Sequence, residues 1–83
     1  MYELEFSPEA RRQFSKLDKL IQDRIGFVLE RIKVRPHHFV KRLRNSPYYR
    51  LRVGAYRLIL DIRENQLIIL IIELGHRRNI YKS

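Results

Sequence analysis

The sequence predicts an α+β fold in which one strand and two helices precede a three-stranded antiparallel meander. Apolar and acidic residues alternate at the N-terminus, apolar residues then recur every three or four positions, and β-branched and aromatic residues fill short runs after Pro47. With 83 residues the chain has the length of one domain, residues 1–83, which would bury roughly 60–65% of its unfolded surface.

The N-terminal half predicts a strand and a helical hairpin. Residues 2–6 have the two-residue period of a half-buried strand. Ser7 then supplies an N-cap and Pro8 suits the first helical position, so a helix begins there. The apolar stripe continues to Val34, which is too long for one straight helix in a domain of this size. We therefore expect a bend or hairpin, with Asp18 as the second N-cap.

The second half begins with a β-hairpin. Pro36 ends the helical region, and an irregular segment leads to a turn at residues 45–47. Residues 48–53 and 56–62 are rich in β-branched and aromatic side chains, and the two residues between them are a Gly-Ala pair that suits a type II′ turn. We expect two antiparallel strands joined by that turn.

The predicted hairpin places three arginines on one face. Alternation of side chains puts Arg52 opposite Arg57, with Arg50 one step along on the same side. Like charges across a strand pair cost stability, and a bound phosphate would compensate because arginine binds phosphate oxygens bidentately. The alternative is that the three arginines are solvated and splay apart.

The net charge of +9 comes from the middle of the chain. Residues 31–60 contain nine Lys or Arg and no acid, and such a segment attracts polyanions through steering and counterion release. A solvated, solubilising surface is the simpler alternative. The nine cations are Arg31, Lys33, Arg35, Lys41, Arg42, Arg44, Arg50, Arg52 and Arg57.

Several site classes are not expected. The absence of cysteine excludes disulfides, a thiolate zinc site and a cysteine nucleophile. The adjacent His37 and His38 are not expected to bind a metal, because sequence neighbours rarely ligate one ion and no carboxylate is close in sequence. We expect no signal peptide and no transmembrane segment, since the longest apolar run, residues 67–72, is far shorter than the ~20 residues of a spanning helix.

The C-terminal segment combines a strand with titratable residues. Residues 67–72 are apolar on both faces and predict a central strand, which Gly75 is expected to break. His76 follows beside Arg77 and Arg78, and histidine titrates nearest neutrality among side chains, so proton transfer is one interpretation. An incidental exposed histidine is the other, just as a tyrosine at position 81 can be a packing anchor.

Taken together, these motifs resemble the RelE branch of the RelE/ParE superfamily of prokaryotic toxins. The resemblance covers nearly the whole chain and rests on Leu43-Arg44, Tyr49-Arg50-Leu51-Arg52-Val53, Tyr56-Arg57-Leu58, Leu74-Gly75-His76-Arg77 and Ile80-Tyr81. It implies a curved four-stranded sheet backed by two helices on one face. It also implies a cytoplasmic toxin that needs no metal or other cofactor and cleaves messenger RNA in the ribosomal decoding site. The expected partner is a RelB-like antitoxin, acidic and helical, in a complex that can be a heterotetramer.

The resemblance also implies residue roles. Arg57 would hold the scissile phosphate, Arg77 would stabilise charge or assist the leaving group, and Tyr81 would orient or activate the ribose 2′-hydroxyl. Arg50 and Arg52 stand where the best-studied branch uses lysines, and arginine is a poor base because it keeps its proton. Either His76 or Tyr81 therefore accepts the proton, with His76 preferred, or the reaction relies mainly on electrostatic stabilisation. The expected RNA-binding cations are Lys41, Arg42, Arg44, Arg50, Arg52 and Arg78.

Two other functions remain open at this point. A toxin of the ParE side would share the fold but act by binding DNA gyrase, without nuclease activity. A non-catalytic RNA-binding or ribosome-associated module would use the same arginines only to hold phosphate.

Overall fold

The computed structural model describes residues 1–76, and these form an α+β fold as predicted. The elements are β1 (Glu3–Phe6), α1 (Pro8–Ser15), α2 (Lys19–Ile32), a 3₁₀ helix (Pro36–His38), β2 (Lys41–Arg42), β3 (Tyr49–Val53), β4 (Tyr56–Arg63) and β5 (Ile68–His76). The sheet has the strand order β1-β5-β4-β3-β2, in which β1 is parallel to β5 and the other neighbours are antiparallel.

The sheet has five strands rather than the four expected. The additional strand is β2, whose two residues pair with β3 in a segment that was predicted to be irregular. A two-residue strand has too short a pattern to be recognised from sequence. The apolar character of β5 is explained by its interior position, because β1 pairs along one of its edges and β4 along the other.

The helix boundaries agree with the predicted caps. The Ser7 hydroxyl accepts a hydrogen bond of 3.0 Å from the Ala10 backbone N–H, as an N-cap should. The second helix begins after Asp18, although that side chain makes no capping hydrogen bond. α2 ends at Ile32, two residues before Val34, and Pro36 starts the short 3₁₀ helix rather than closing an α-helix.

Both helices pack on one face of the sheet. The fully buried side chains form one cluster to which α1, α2 and the three long strands all contribute. Its members are Ala10, Ile25, Leu29, Ile32, Leu51, Val53, Leu58, Leu60, Ile69, Ile71 and Leu74. The opposite face of the sheet is not covered by either helix, and it will be called the open face.

A β-bulge in β5 interrupts the alternation between the two faces. Ile59 pairs with Glu73 but its neighbour Leu60 pairs with Ile71, so Ile72 is the extra residue. Residues from the start of the chain bind this bulge: the Ser7 hydroxyl donates to the Ile72 carbonyl at 2.6 Å. The bulge is therefore tied to the beginning of α1.

β5 does not end at Gly75, contrary to the sequence prediction. Arg57 pairs with Gly75 and Tyr56 pairs with His76, so the ladder continues to the last described residue. Glycine keeps its backbone N–H and C=O, so it can pair within a strand although it has no side chain. Within residues 1–76, none of the helices is long and apolar enough to cross a membrane.

Candidate nucleic-acid interface

The predicted hairpin register is confirmed. Val53 pairs with Tyr56, Leu51 with Leu58 and Arg50 with Ile59, which brings Arg52 directly opposite Arg57. The loop agrees with a type II′ turn, because Gly54 has a φ of 60° and Ala55 is not among the described residues with positive φ.

The predicted sorting of side chains is also confirmed. Leu51, Val53 and Leu58 are buried on the helix-covered face. The arginines therefore lie on the open face, where Arg52 is exposed and Arg50 and Arg57 are half-buried.

The row that contains Arg52 and Arg57 continues onto β5 at Gly75. Because glycine has no side chain, β5 contributes nothing that projects beside Arg57 in this row. This row of the open face thus places two guanidinium groups beside a residue that has no side chain. That combination suits a phosphate, which needs both positive charge and close approach.

β2 adds a fourth cation to this surface. Lys41 pairs with Arg50 and shares its side of the sheet. The four residues Lys41, Arg50, Arg52 and Arg57 will be called the cationic face. In the described part of the chain, no ion pair involves Lys41, Arg50 or Arg52.

Two other predicted RNA-binding residues lie elsewhere. Arg42 alternates to the side opposite Lys41, where its guanidinium lies 5.8 Å from the centre of the Tyr49 ring and its Nε donates to the Ser46 carbonyl at 3.2 Å. Arg44 is exposed in the turn that follows β2. The structure therefore does not bring Arg42 onto the cationic face.

His76 also lies away from the cationic face. It pairs with Tyr56, whose side chain packs against the core, and the two rings are 5.5 Å apart in an edge-to-face arrangement. A depression of about 300 Å³ on the helix side is lined by these two residues and by Gln13, Lys16, Leu17, Leu74 and Gly75. The predicted grouping of His76 with Arg57 around one phosphate is not formed by the described residues. Arg77, Arg78 and Tyr81 lie outside the described residues.

The bulge explains why His76 lies where it does. If β5 alternated regularly from the buried Ile71, position 76 would lie on the open face. The extra residue Ile72 inverts the alternation, so Leu74 and His76 turn towards the helices. Gly75 is thereby brought beside Arg57.

A contact that the sequence did not indicate lies at the other end of the hairpin. His37 Nε2 is 2.5 Å from Glu64 Oε2, and its ring lies edge-to-face with Tyr49 at 5.1 Å. The carboxylate comes from 27 positions further along the chain, so adjacency in sequence could not reveal it. Among residues 1–76, no cluster of three or more metal-ligating side chains is found.

Comparison with known proteins assigns this fold and surface to a class. Residues 4–81 match the sequence family described as the ParE toxin of type II toxin-antitoxin systems. The chain is 30% identical to an Escherichia coli protein described as a RelE-like toxin, over 92% of this chain and 83% of that protein. It is also 30% identical to the toxin RelE4 of Methanocaldococcus jannaschii, over 100% of this chain and 94% of the relative. The chain therefore belongs to the RelE/ParE family of type II toxins.

Within that family, several similar proteins are described as RelE toxins. A chain in the toxin-antitoxin complex RelBE2 from Mycobacterium tuberculosis is 28% identical with a TM-score of 0.84, and the match covers 92% of this chain and 98% of that one. The isolated E. coli RelE toxin has a TM-score of 0.83 at 22% identity, covering 92% of this chain and 84% of that chain, and it shares the fold. The resemblance to the RelE branch is thus confirmed.

Proposed function

We propose that this toxin is a metal-independent endoribonuclease that cleaves messenger RNA on the ribosome. The observation that carries the proposal is the row formed by Arg52, Arg57 and Gly75 on the open face. Two guanidinium groups beside a glycine suit a phosphodiester, and Lys41 and Arg50 extend the positive charge along the RNA strand that would be bound.

The proposed reaction uses the substrate's own nucleophile. The ribose 2′-oxygen attacks the adjacent phosphorus, the bond from phosphorus to the 5′-oxygen breaks, and a 2′,3′-cyclic phosphate and a 5′-hydroxyl result. A base accepts the 2′-hydroxyl proton and an acid protonates the departing 5′-oxygen. Charge develops on the phosphorane oxygens, where fixed guanidinium groups stabilise the transition state more than the ground state.

The arginines take the electrostatic roles in this reaction. Arg57 holds the scissile phosphate. It has neighbours on both sides in the sheet and is half-buried, and both features restrict the motion of its side chain. A restricted guanidinium group loses less entropy when it binds a phosphate. Arg52 shares that phosphate or the next one. Arg77 assists the leaving group, and the base is His76 or Tyr81. Lys41, Arg50, Arg42, Arg44 and Arg78 contribute to RNA binding through charge.

The deciding experiment is cleavage on translating ribosomes. The purified toxin should cut messenger RNA within the codon in the decoding site, and Arg57→Ala and Arg77→Ala should each lower the rate by about a hundredfold or more. Arg63→Ala is the matched control, since Arg63 lies on the same strand and the same face as Arg57 but pairs with Asp61 at 3.0 Å.

The other outcomes identify the alternatives. Binding of RNA or ribosomes without cutting would replace the enzyme by a non-catalytic module. Inhibition of DNA gyrase without cutting would place the protein with toxins that act on gyrase. If Arg63→Ala lost as much cleavage activity as Arg57→Ala, the cationic face would have no specific role in the reaction.

We further propose an acidic, helical RelB-like antitoxin as partner, in a complex that can be a heterotetramer. Several of the similar solved structures are RelB-RelE complexes, and this chain carries a net charge of +9 that an acidic partner would neutralise. Co-expression with a RelB-like antitoxin should yield a co-purifying complex that does not cut RNA. A complex that still cuts would show that the partner leaves the site open.

A further inference from the structure

We propose that Tyr48 is a stacking platform for an unpaired RNA base one or two nucleotides from the phosphate held at Arg52 and Arg57. This proposal rests on the proposed RNA-cleaving function and adds a binding residue to the same surface. Tyr48 is the one tyrosine in residues 1–76 that is exposed, at 37%, whereas Tyr2, Tyr49 and Tyr56 are half-buried.

The position of Tyr48 places it beside the cationic face. It directly precedes β3, so alternation along the chain puts it on the side of Arg50 and Arg52. At a rise of about 3.4 Å per residue, its Cα is about 7 Å from that of Arg50 and about 14 Å from that of Arg52. These spacings place a base on Tyr48 within one or two nucleotides of a phosphate at Arg52.

The backbone of Tyr48 is held on both sides. Its N–H donates to the Ser46 hydroxyl at 3.1 Å, and its carbonyl accepts from the Leu43 N–H at 3.0 Å. The turn that leads to it contains Asn45 with a φ of 56°, followed by Pro47, whose ring restricts the chain. The ring therefore projects from a fixed base, which lowers the entropy lost when a ligand stacks on it.

The neighbouring Tyr49, in contrast to Tyr48, has a structural role. Tyr49 points to the other side, where His37 and Arg42 pack on its ring at 5.1 and 5.8 Å. Within residues 1–76, no aromatic ring or guanidinium packs on Tyr48. The ring and cation contacts of the described residues thus involve Tyr49 and not Tyr48, which keeps 37% of its surface exposed.

The chemistry of the site identifies the ligand class. An exposed aromatic ring flanked by cations is the arrangement that binds single-stranded nucleic acid, with the cations on phosphate and the ring on a base. Stacking accepts any base, because every base has a π face, so Tyr48 would add affinity and register rather than strict sequence preference. The base can belong to the messenger strand or to ribosomal RNA.

Two assays decide whether the base belongs to the messenger strand or to ribosomal RNA, and the first assay does not depend on cleavage. The affinity for a short single-stranded 2′-O-methyl RNA, which cannot undergo 2′-hydroxyl attack, is measured by fluorescence anisotropy for the wild type, Tyr48→Leu and Tyr48→Phe. The second assay compares the same proteins for cleavage on programmed ribosomes. Phe27→Leu is the matched control, because Phe27 is 66% exposed on α2, away from the open face.

The expected result in the first assay is a loss of affinity of roughly five- to a hundredfold for Tyr48→Leu, with Tyr48→Phe and Phe27→Leu unchanged. Removing the bases one at a time should reveal one abasic position at which the Tyr48→Leu effect disappears. A loss confined to the ribosome assay would assign the base to ribosomal RNA. Wild-type behaviour of Tyr48→Leu in both assays overturns the proposal, whereas failure of the wild type to cut overturns the nuclease and leaves the binding result to stand.

Discussion

Replacing Arg52 by glutamine should make the protein more stable and a poorer RNA binder. Arg52 and Arg57 are directly opposed across β3 and β4, and no ion pair with an acid relieves Arg52 among the described residues. Two unit charges about 6 Å apart repel by about 0.7 kcal/mol in water, and screening at physiological salt roughly halves that value. Cross-strand pairs of like charge are disfavoured by a similar amount.

The change should therefore raise the free energy of unfolding by about 0.7 kcal/mol in low salt and by about 0.3 kcal/mol at physiological salt. The low-salt value corresponds to about 3–6 °C in melting temperature for a domain of this size. The same change should weaken RNA binding roughly ten- to a hundredfold, since one charge-assisted contact to phosphate is lost. The slope of log affinity against log salt should fall by about 0.7.

Thermal melts and anisotropy titrations over a series of salt concentrations measure both effects. Arg63→Gln removes the same charge from the same face, but it breaks a pair with Asp61 instead of relieving repulsion, so we expect neither the gain in stability nor the change in slope. If Arg52→Gln is less stable than the wild type, or if its gain persists in molar salt, electrostatic repulsion is not what Arg52 contributes to the hairpin.

Two further predictions concern the scaffold. Gly26→Ala should stabilise the protein by up to about 1 kcal/mol, because nothing lies within 4 Å of the added Cβ in α2. Gly54→Ala should destabilise it by about 1–2 kcal/mol, because that glycine has a φ of 60°. Chemical denaturation measures both changes, and equal effects would contradict the turn assignment. Ser7→Ala should cost about 1–3 kcal/mol, since both a cap and a bond to Ile72 are lost, while Asp18→Ala, with no capping bond to lose, should cost much less in the same assay.

Local patterns in the sequence predicted the hairpin well. The pairing of Arg52 with Arg57 follows from a two-residue loop and from alternation, both of which are properties of neighbouring residues. The helix starts after Ser7 and Asp18 were equally local, although only Ser7 makes a capping hydrogen bond. The hairpin loop and the alternation fix three of the four residues of the cationic face, so most of the candidate binding surface follows from the amino-acid sequence alone.

Contacts between distant residues could not be predicted in this way. The pairing of β1 with β5, the contact of His37 with Glu64 and the bulge at Ile72 all depend on residues far apart in sequence. The bulge has the largest effect on the candidate site, because it decides which side of the sheet His76 faces. Gln13 Oε1 accepts from the Leu74 N–H at 2.7 Å, and Ser7 binds the Ile72 carbonyl, so two side chains from the first quarter of the chain hold the irregularity in β5.

The bulge also yields a prediction about the general base. Because His76 is turned towards Tyr56 and α1, a base at that position could reach a phosphate at Arg57 only around the end of the sheet. We therefore expect His76→Gln to change the cleavage rate less than tenfold and to keep the shape of the pH-rate profile. Tyr81→Phe should then lower the rate by about a hundredfold or more, within the range of general acid-base catalysis. Single-turnover cleavage across a pH series, with melting curves to exclude unfolding, measures both. The opposite result would be a pH-rate profile that loses its dependence near neutral pH in His76→Gln, with an unchanged cleavage rate in Tyr81→Phe. That result would make the histidine the base and would require the RNA strand to pass around the end of β5.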